Sequence, residues 1–202
     1  MTTPPDDLAT RRRNQTRAEI AAAAVELFSS VGFDATTMDE VAAAAGVSRR
    51  TAYRHFASKD ELIFEQPRLW LEQFTAVIED RADGESARDL LRRAVLAVAD
   101  HIEAHSDAVL RSFTILMSTD SLLGRHGKSD AEWRELCAVV IADDGDGSPE
   151  AQLQTMVATG ALIGATNAMI AAWAAGQPDA HLPTVAALAF DQIDSIWPDF
   201  AR

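Results

Sequence analysis

The segment GVSRRTAYRHFASKDEL, residues 46–62, holds Arg49, Arg50, Arg54 and Lys59 within a dozen residues, with no acidic residue between Gly46 and Ser58. On a helical wheel with Arg49 at zero and about 100° per residue, Arg50, Thr51, Arg54 and His55 share one arc. Arg49, Ala52, Tyr53 and Phe56 share the other. Two guanidiniums, a hydroxyl and an imidazole on a short exposed helix can work in a DNA major groove, where Arg pairs with guanine O6 and N7 and Thr meets a thymine methyl. Arg50, Thr51 and Arg54 are therefore the candidate base readers. Tyr53 and His55 lie at the margins of the wheel, and Lys59 stands beside the free N–H groups of a following helix, so these three suit phosphates. Thr37 and Ser48 begin helices and can also meet the DNA backbone. Arg49 falls toward the core-side arc and is the last member of the candidate set. The bland alternative is a solvated basic helix; the capped two-helix unit around it favours nucleic acid.

That unit is read from periodicity and caps. Ile20, Ala24, Leu27, Phe28 and Val31 recur at helical spacing over 14–31, and Gly32 stops the helix. TMDE at 37–40 is a capping box, predicting a short second helix from Met38 to Ala45. Gly46 ends it and Ser48 caps a third helix that finishes near Phe56, so the pair reads as helix-turn-helix. SKDE at 58–61 predicts another capping box and a fourth helix running through Leu62, Ile63, Leu69, Trp70, Leu71 and Phe74, kinked at Pro67. Further helices are expected over 86–104, 107–118, 129–142, 149–175 and 184–197, the first, third and fourth started by Ser86, Ser129 and Ser148-Pro149, and Pro198 marks the end of the last.

The chain has 202 residues, enough for a sizeable core, and an ordinary globular composition with a net charge of -13. Residues 1–66 contribute -2 and residues 67–202 contribute -11, so the acidity does not forbid a DNA-binding face in the first part. A single cysteine, Cys137 in an apolar run, excludes an intrachain disulfide and fits a reducing cytoplasm. No signal peptide or membrane partner is expected.

Other constellations are weak. Aligning DDGDGSP at 143–149 with a calcium loop puts Ala142 at the first ligand and Leu153 where the bidentate Glu belongs, so it reads as a turn-rich loop. His101 and His105 share a helical face but lack a third ligand nearby, and no metal is assigned. No phosphate loop or nucleophile elbow is present, so neither a cofactor nor an enzymatic activity is expected. Gly160, Gly164 and Ala168, with Ala161 and Ala165, recur at three- and four-residue spacings that admit a second helix closely. Leu188, Gln192 and Ile196 supply a matching face on the last helix. Packing within one chain or between two copies would explain this pattern equally.

Residues 14–65 resemble the tetracycline-repressor-like (TetR) family of bacterial transcriptional regulators. The resemblance rests on TTMDEVAAAAGVSRRTAYRHFASKDEL, above all Gly46-Val47-Ser48, Thr51, Tyr53, His55-Phe56 and Ser58-Lys59, preceded by ELFSSVGFDATT. Ala52 stands where many members carry a larger aliphatic residue, and Arg50 where Gly is frequent. The resemblance implies an all-α protein: a three-helix DNA-binding head over 14–58, preceded by a disordered basic arm at 1–13, and a helical effector-binding and dimerisation domain over 59–202. Arg11, Arg12 and Arg13, with Arg17, would extend the basic face toward the minor groove or form a passive tail. The implied function is a homodimeric repressor on a palindromic double-stranded operator, released by a small-molecule effector. Trp70, Phe74, Phe113, Met117, Trp133, Met156, Asn167 and Trp173 are the candidate pocket lining, apolar residues with one amide among them.

Overall fold

The computed structural model describes residues 5–175 and 181–196, with side chains described except at 5–7, 124–129 and 194–196. Every regular element among the described residues is an α-helix: α1 (Pro5–Val31), α2 (Met38–Ala44), α3 (Arg49–His55), α4 (Lys59–Ile63), α5 (Glu65–Glu79), α6 (Ala87–Ala104), α7 (Ser106–Ser118), α8 (Asp120–Asp143), α9 (Pro149–Ala174) and α10 (Leu182–Ile196). Two compact units emerge, one of Met1–Gln66 with Asp107–Leu123, the other of Pro67–Ser106 with Gly124–Arg202.

In the first unit, α1 turns its apolar stripe of Ile20, Ala24 and Phe28 inward onto Val41 and Ala42 of α2, Ala52 of α3 with Phe56 after it, and Leu62 and Ile63 of α4. Ile115, Leu116 and Leu122, from the 107–123 segment, belong to the same cluster. Phe56 is fully buried, and removing such a ring from water stabilises a fold by about 1.5–3 kcal/mol. Ala52 is also fully buried. Its small side chain is what lets α2 and α3 lie against each other without a larger aliphatic group between them.

A buried ion pair ties the ends of these helices together. Glu65, in the first turn of α5, is only 3% exposed and takes both Nε and Nη2 of Arg17 on α1, at 2.7–2.8 Å. The same guanidinium lies 4.1 Å over the Phe56 ring and donates through Nη1 to the carbonyl of His55, the last residue of α3. Arg17 therefore serves the interior of the unit rather than a basic arm. The run Arg11 to Arg13 is likewise helical, because α1 begins at Pro5 and not at residue 14.

Beyond the start of α1, three sequence signals act differently from the expectation. The chain breaks at Phe64 and restarts at Glu65, which puts Pro67 in the first turn of α5, where its missing N–H has no helical partner to lose. At the start of α4 the Ser58 side chain makes no cap, and Glu61 reaches the backbone N–H of Ala57 instead, at 2.8 Å. Ser129 lies inside α8, which is continuous from Asp120, so the SDAE sequence does not start a helix. Ser86 and Ser148 do cap α6 and α9, accepting from Asp89 and Ala151 N–H. The proposed stop at Pro198 lies outside the described residues.

The second unit is built on α6, which buries Leu90, Leu91, Ala94, Val95, Val98, Ala99 and Ile102 and packs against α10, itself against α9. The acidic loop after α8 is occupied by its own chain. Asp143 and Asp144 hold Arg81 at 2.8 and 2.6 Å, Asp144 also accepts the first N–H of α6, and Asp146 accepts from Ser148 N–H. Hydrogen bonding to Ala87 N–H and Arg81 overcomes the opposing effect of burial and lowers the Asp144 pKa. α9 is long and apolar enough to cross a membrane by length and composition, yet only 28% of its apolar window is buried.

Arg17→Met should destabilise the first unit toward the lower end of about 3–5 kcal/mol, since it strands a buried carboxylate while Arg17 itself keeps a fifth of its surface in water. The double replacement Arg17→Met with Glu65→Leu should recover most of that loss. Chemical denaturation of the two variants measures it, and equal stability of the single variant and the parent would remove the ion pair from the account.

Candidate nucleic-acid interface

The α2–α3 junction is fixed by two local devices. Ala45 caps α2, and beyond it Val47 N–H donates to Ala42 O at 3.0 Å while Gly46 N–H donates to Ala43 O at 3.1 Å, the two bonds of a Schellman motif. Gly46 has φ +67, a conformation that side chains disfavour, so glycine is required there for its backbone alone. Ser48 then opens α3 by accepting from Thr51 N–H at 3.1 Å, and its hydroxyl also meets that of Thr51 at 2.9 Å. At the start of α2 the capping box is complete: Glu40 takes both Thr37 N–H and the Thr37 hydroxyl at 2.8 Å, and Thr37 Oγ1 accepts Glu40 N–H. Those bonds from Thr37 hold the Glu40 carboxyl below its ordinary pKa.

The exposed arc of α3 is rotated from the one the sequence suggests. Ala52, His55 and Phe56 are buried, whereas Arg49, Arg50, Tyr53 and Arg54 are exposed and Thr51 is half-buried. His55 therefore belongs to the interior, and Arg49, 68% exposed, belongs to the outer face. The wheel missed this because contacts that hold the helix lie elsewhere in the chain: Arg17, paired with Glu65, donates to the His55 carbonyl at the end of α3. Burial lowers the His55 pKa, and the positive charges of Arg54, Arg13 and Arg17 lower it further against a smaller opposing effect of Glu65. The ring is thus kept neutral near pH 7.

Arg49 is held on the surface by Asp39, at 2.9 Å across the α2–α3 pair, with its guanidinium 5.4 Å from the Tyr53 ring. Asp39 was not singled out in sequence, although its place in the first turn of α2 is what sets it opposite the first residue of α3. Lys59 turns its ammonium to the carbonyls of Phe33, Asp34 and Thr36 and away from the role of a free cation at a helix end. The exposed candidates for DNA are accordingly Thr37, Ser48, Arg49, Arg50, Tyr53 and Arg54, with Thr51 at the edge.

The remaining candidates separate into two groups. Phe113 and Met117 stand on α7 in the first unit, and Met156 is 73% exposed on the open face of α9, so these three do not line the interior of the second unit. Trp70, Phe74, Trp133, Asn167 and Trp173 do belong to that unit. There Phe74 meets Trp133 edge-on at 4.9 Å, and Asn167 donates to Asp130 at 3.2 Å. Among the described residues of the unit, two buried polar atoms have no hydrogen-bond partner, Trp70 Nε1 and Thr159 Oγ1. Gly160, Gly164, Ala168, Leu188 and Gln192 are all exposed, and the Ile196 side chain lies outside the described residues. His101 and His105 stack at 4.5 Å, with His105 Nδ1 against the His101 carbonyl. No group of three or more metal-ligating side chains occurs among the described residues.

Comparison with known proteins matches two successive segments of the chain. Residues 20–65 match the family described as bacterial regulatory proteins, tetR family, and residues 85–198 match the MftR C-terminal domain. A Mycobacterium tuberculosis protein named "Putative mycofactocin biosynthesis transcriptional regulator MftR" is 31% identical over 132 residues, 65% of this chain and 67% of that one. The HTH-type transcriptional repressor KstR2 of Rhodococcus jostii is 34% identical over 110 residues, and that match spans only 53% of its length and 54% of this chain. The solved structure of the fatty acid degradation regulator FadR from Bacillus halodurans superposes with a TM-score of 0.68 over 87% of this chain and 96% of that one, at 16% identity, which is a likeness of fold.

The buried neutral His55 makes stability depend on pH. Its pKa in the fold is below the ordinary 6.5, so the unfolded chain binds the extra proton as pH falls. Stability should be complete above about pH 6.5 and decline below it. In His55→Gln, that decline should be shallower between pH 6.5 and 5, the remainder including His101, whose pKa burial also lowers; thermal melts across the interval decide, and parallel curves for the two proteins would count against a buried neutral imidazole.

Proposed function

The chain belongs to the TetR family of bacterial transcriptional regulators, DNA-binding proteins that are not enzymes, and from that premise we propose that it is a cytoplasmic homodimeric repressor of a palindromic operator, released by a small-molecule effector. The observation that carries the DNA-binding half is the outer face of α3, where Arg49, Arg50, Tyr53 and Arg54 stand together in a stretch free of acidic side chains. In this reading Arg50 and Arg54, with Thr51 beside them, address base edges. Thr37, Ser48, Arg49 and Tyr53 meet phosphates and fix register. His55, neutral and enclosed, supports the helix from behind.

Dimerisation is supported by α9. Its exposed residues Leu153, Met156, Val157, Gly160, Ala161, Gly164, Ala168, Ala171 and Ala172 form one continuous apolar stripe at three- and four-residue spacing. Among the described residues, nothing lies within 4 Å of a Cβ placed at Gly160 or Gly164. So large an uncovered apolar face needs a partner, and a second copy supplies a self-complementary one. Leu188 and Gln192 on α10 widen the face. A two-fold dimer would set its recognition helices about 34–36 Å apart, one turn of DNA.

The effector reading draws on the two unpartnered polar atoms. Four other helical threonines, Thr75, Thr114, Thr155 and Thr166, satisfy their hydroxyls on the carbonyl four residues earlier. Thr159, 2% exposed, does not. A buried hydroxyl left unpaired costs about 1–3 kcal/mol, a loss that a polar atom of a ligand could relieve, and the Trp70 indole N–H has the same need. An effector of this kind must bind the DNA-free state more tightly than the bound one to cause release.

Selection of bound fragments from a random duplex pool tests the reading. Arg54→Ala should then weaken the selected sequence by about 1–3 kcal/mol and leave bulk duplex less affected; an equal loss on every sequence would take base reading from Arg54. Gly164→Leu places its Cβ in open space at an exposed position, so it should keep the helical fold and shift the oligomer toward monomer in light scattering. An unchanged dimer would remove α9 from the interface.

A further inference from the structure

Lys59 occupies the first position of α4, where a cation opposes the positive end of the helix dipole. Its side chain leaves that end and crosses to the loop between α1 and α2. Nζ lies 2.6 Å from Phe33 O, 3.1 Å from Thr36 O and 3.2 Å from Asp34 O, and 4.4 Å from the Phe33 ring centroid. An ammonium has three protons to donate, and three converging carbonyls accept them. The loop that supplies these carbonyls is itself tight: Thr36 is buried, its hydroxyl donates to Gly32 O at 2.8 Å, and its N–H donates to Phe33 O. Immediately after it come Thr37, which caps α2, and Asp39, which holds Arg49 at the front of α3.

We propose that Lys59 is a positioning residue for DNA binding: its ammonium acts as an internal cation that ties the α1–α2 loop to α4, fixing the start of α2 and with it Thr37, Asp39 and Arg49. It does so without gripping a phosphate. The proposal rests on the head being a DNA-binding unit, but the strap itself can be examined without DNA.

Two variants discriminate. Lys59→Met removes the charge, whereas Lys59→Arg keeps it but replaces a compact three-proton donor by a planar fork that cannot converge on the same three carbonyls. In the DNA-free full chain, hydrogen exchange at Thr36, Thr37, Glu40 and Val41, whose N–H groups are bonded within this loop and cap, should quicken by about tenfold or more in both variants. Unchanged exchange in both overturns the strap, whatever the DNA data show. Binding to a selected duplex is then measured from low to moderate salt at a temperature where all three proteins are fully folded by circular dichroism. The expected result is a drop in affinity for both variants with the parent's slope of log K against log salt. A phosphate grip predicts the opposite: Lys59→Arg binds like the parent, and Lys59→Met loses about one unit of slope. Parent-like affinity in both folded variants, with quickened exchange, would leave a structural strap and overturn the positioning role. If the parent binds no duplex at all, the DNA-binding reading fails while the exchange result still decides the strap.

Discussion

The head is organised around one guanidinium. Arg17 must be desolvated on one side by Phe56 and is compensated by a carboxylate, Glu65, that is more deeply buried than itself. Neither charge could remain without the other, because an unpaired ion in that setting costs several kcal/mol. The geometry adds a third bond, to the His55 carbonyl, which is one of the last carbonyls of α3 and would otherwise lack a helical partner. Positive charge at that end also suits the helix dipole. A single side chain thus fixes how far α3 can turn about its own axis, and the rotation decides which residues face outward.

His55 follows from that constraint. The imidazole sits between the clamp and the core, near Arg13, Arg17 and Arg54, where taking up a proton would add a fourth positive charge to a desolvated site. Its burial takes it off the outer face, which is left to Arg49, Arg50, Tyr53 and Arg54. The local acids do not cancel that face. Asp39 engages Arg49 sideways, Glu40 is turned into its own capping box, and Glu61 is turned to Ala57 N–H. A chain with a net charge of -13 can therefore present a basic helix, because the nearby carboxylates are occupied by the backbone or by a flank of the reading surface.

What was legible in the sequence was local. Gly46, Ser48, Thr37 and Glu40 declared the helix-turn-helix because caps and a positive φ are properties of a few consecutive residues. The same logic found Ser86 and Ser148. It failed at Ser129, where a capping pattern sits inside a helix whose continuity the pattern does not control, and at Pro67, where the choice between kink and restart depends on Glu65 having a partner 48 residues away. The wheel for α3 erred for the same reason: helical spacing gives the angles between residues, but the orientation of the whole set comes from contacts distant in sequence. His55 and Arg49 exchanged places on that account. Lys59 looked like a free cation because nothing nearby in sequence claims it; its acceptors lie 23 to 26 residues earlier.

The α9 helix shows the opposite case, in which the sequence pattern is informative and the single chain leaves it unexplained. Fully buried core helices are apolar all round, and surface helices are polar on the outside. α9 buries Ala158, Thr159, Leu162 and Ile163 on one side yet keeps an apolar stripe on the other. A stripe made of Leu, Met and Val at one end and of Gly and Ala along the rest cannot gain much from bulky side chains of a partner; it gains from close backbone approach. The surface best able to approach that closely is another stripe of the same kind, which is why the dimer proposed above pairs α9 with its own copy: that pairing would account for the smallness and the exposure of these residues together.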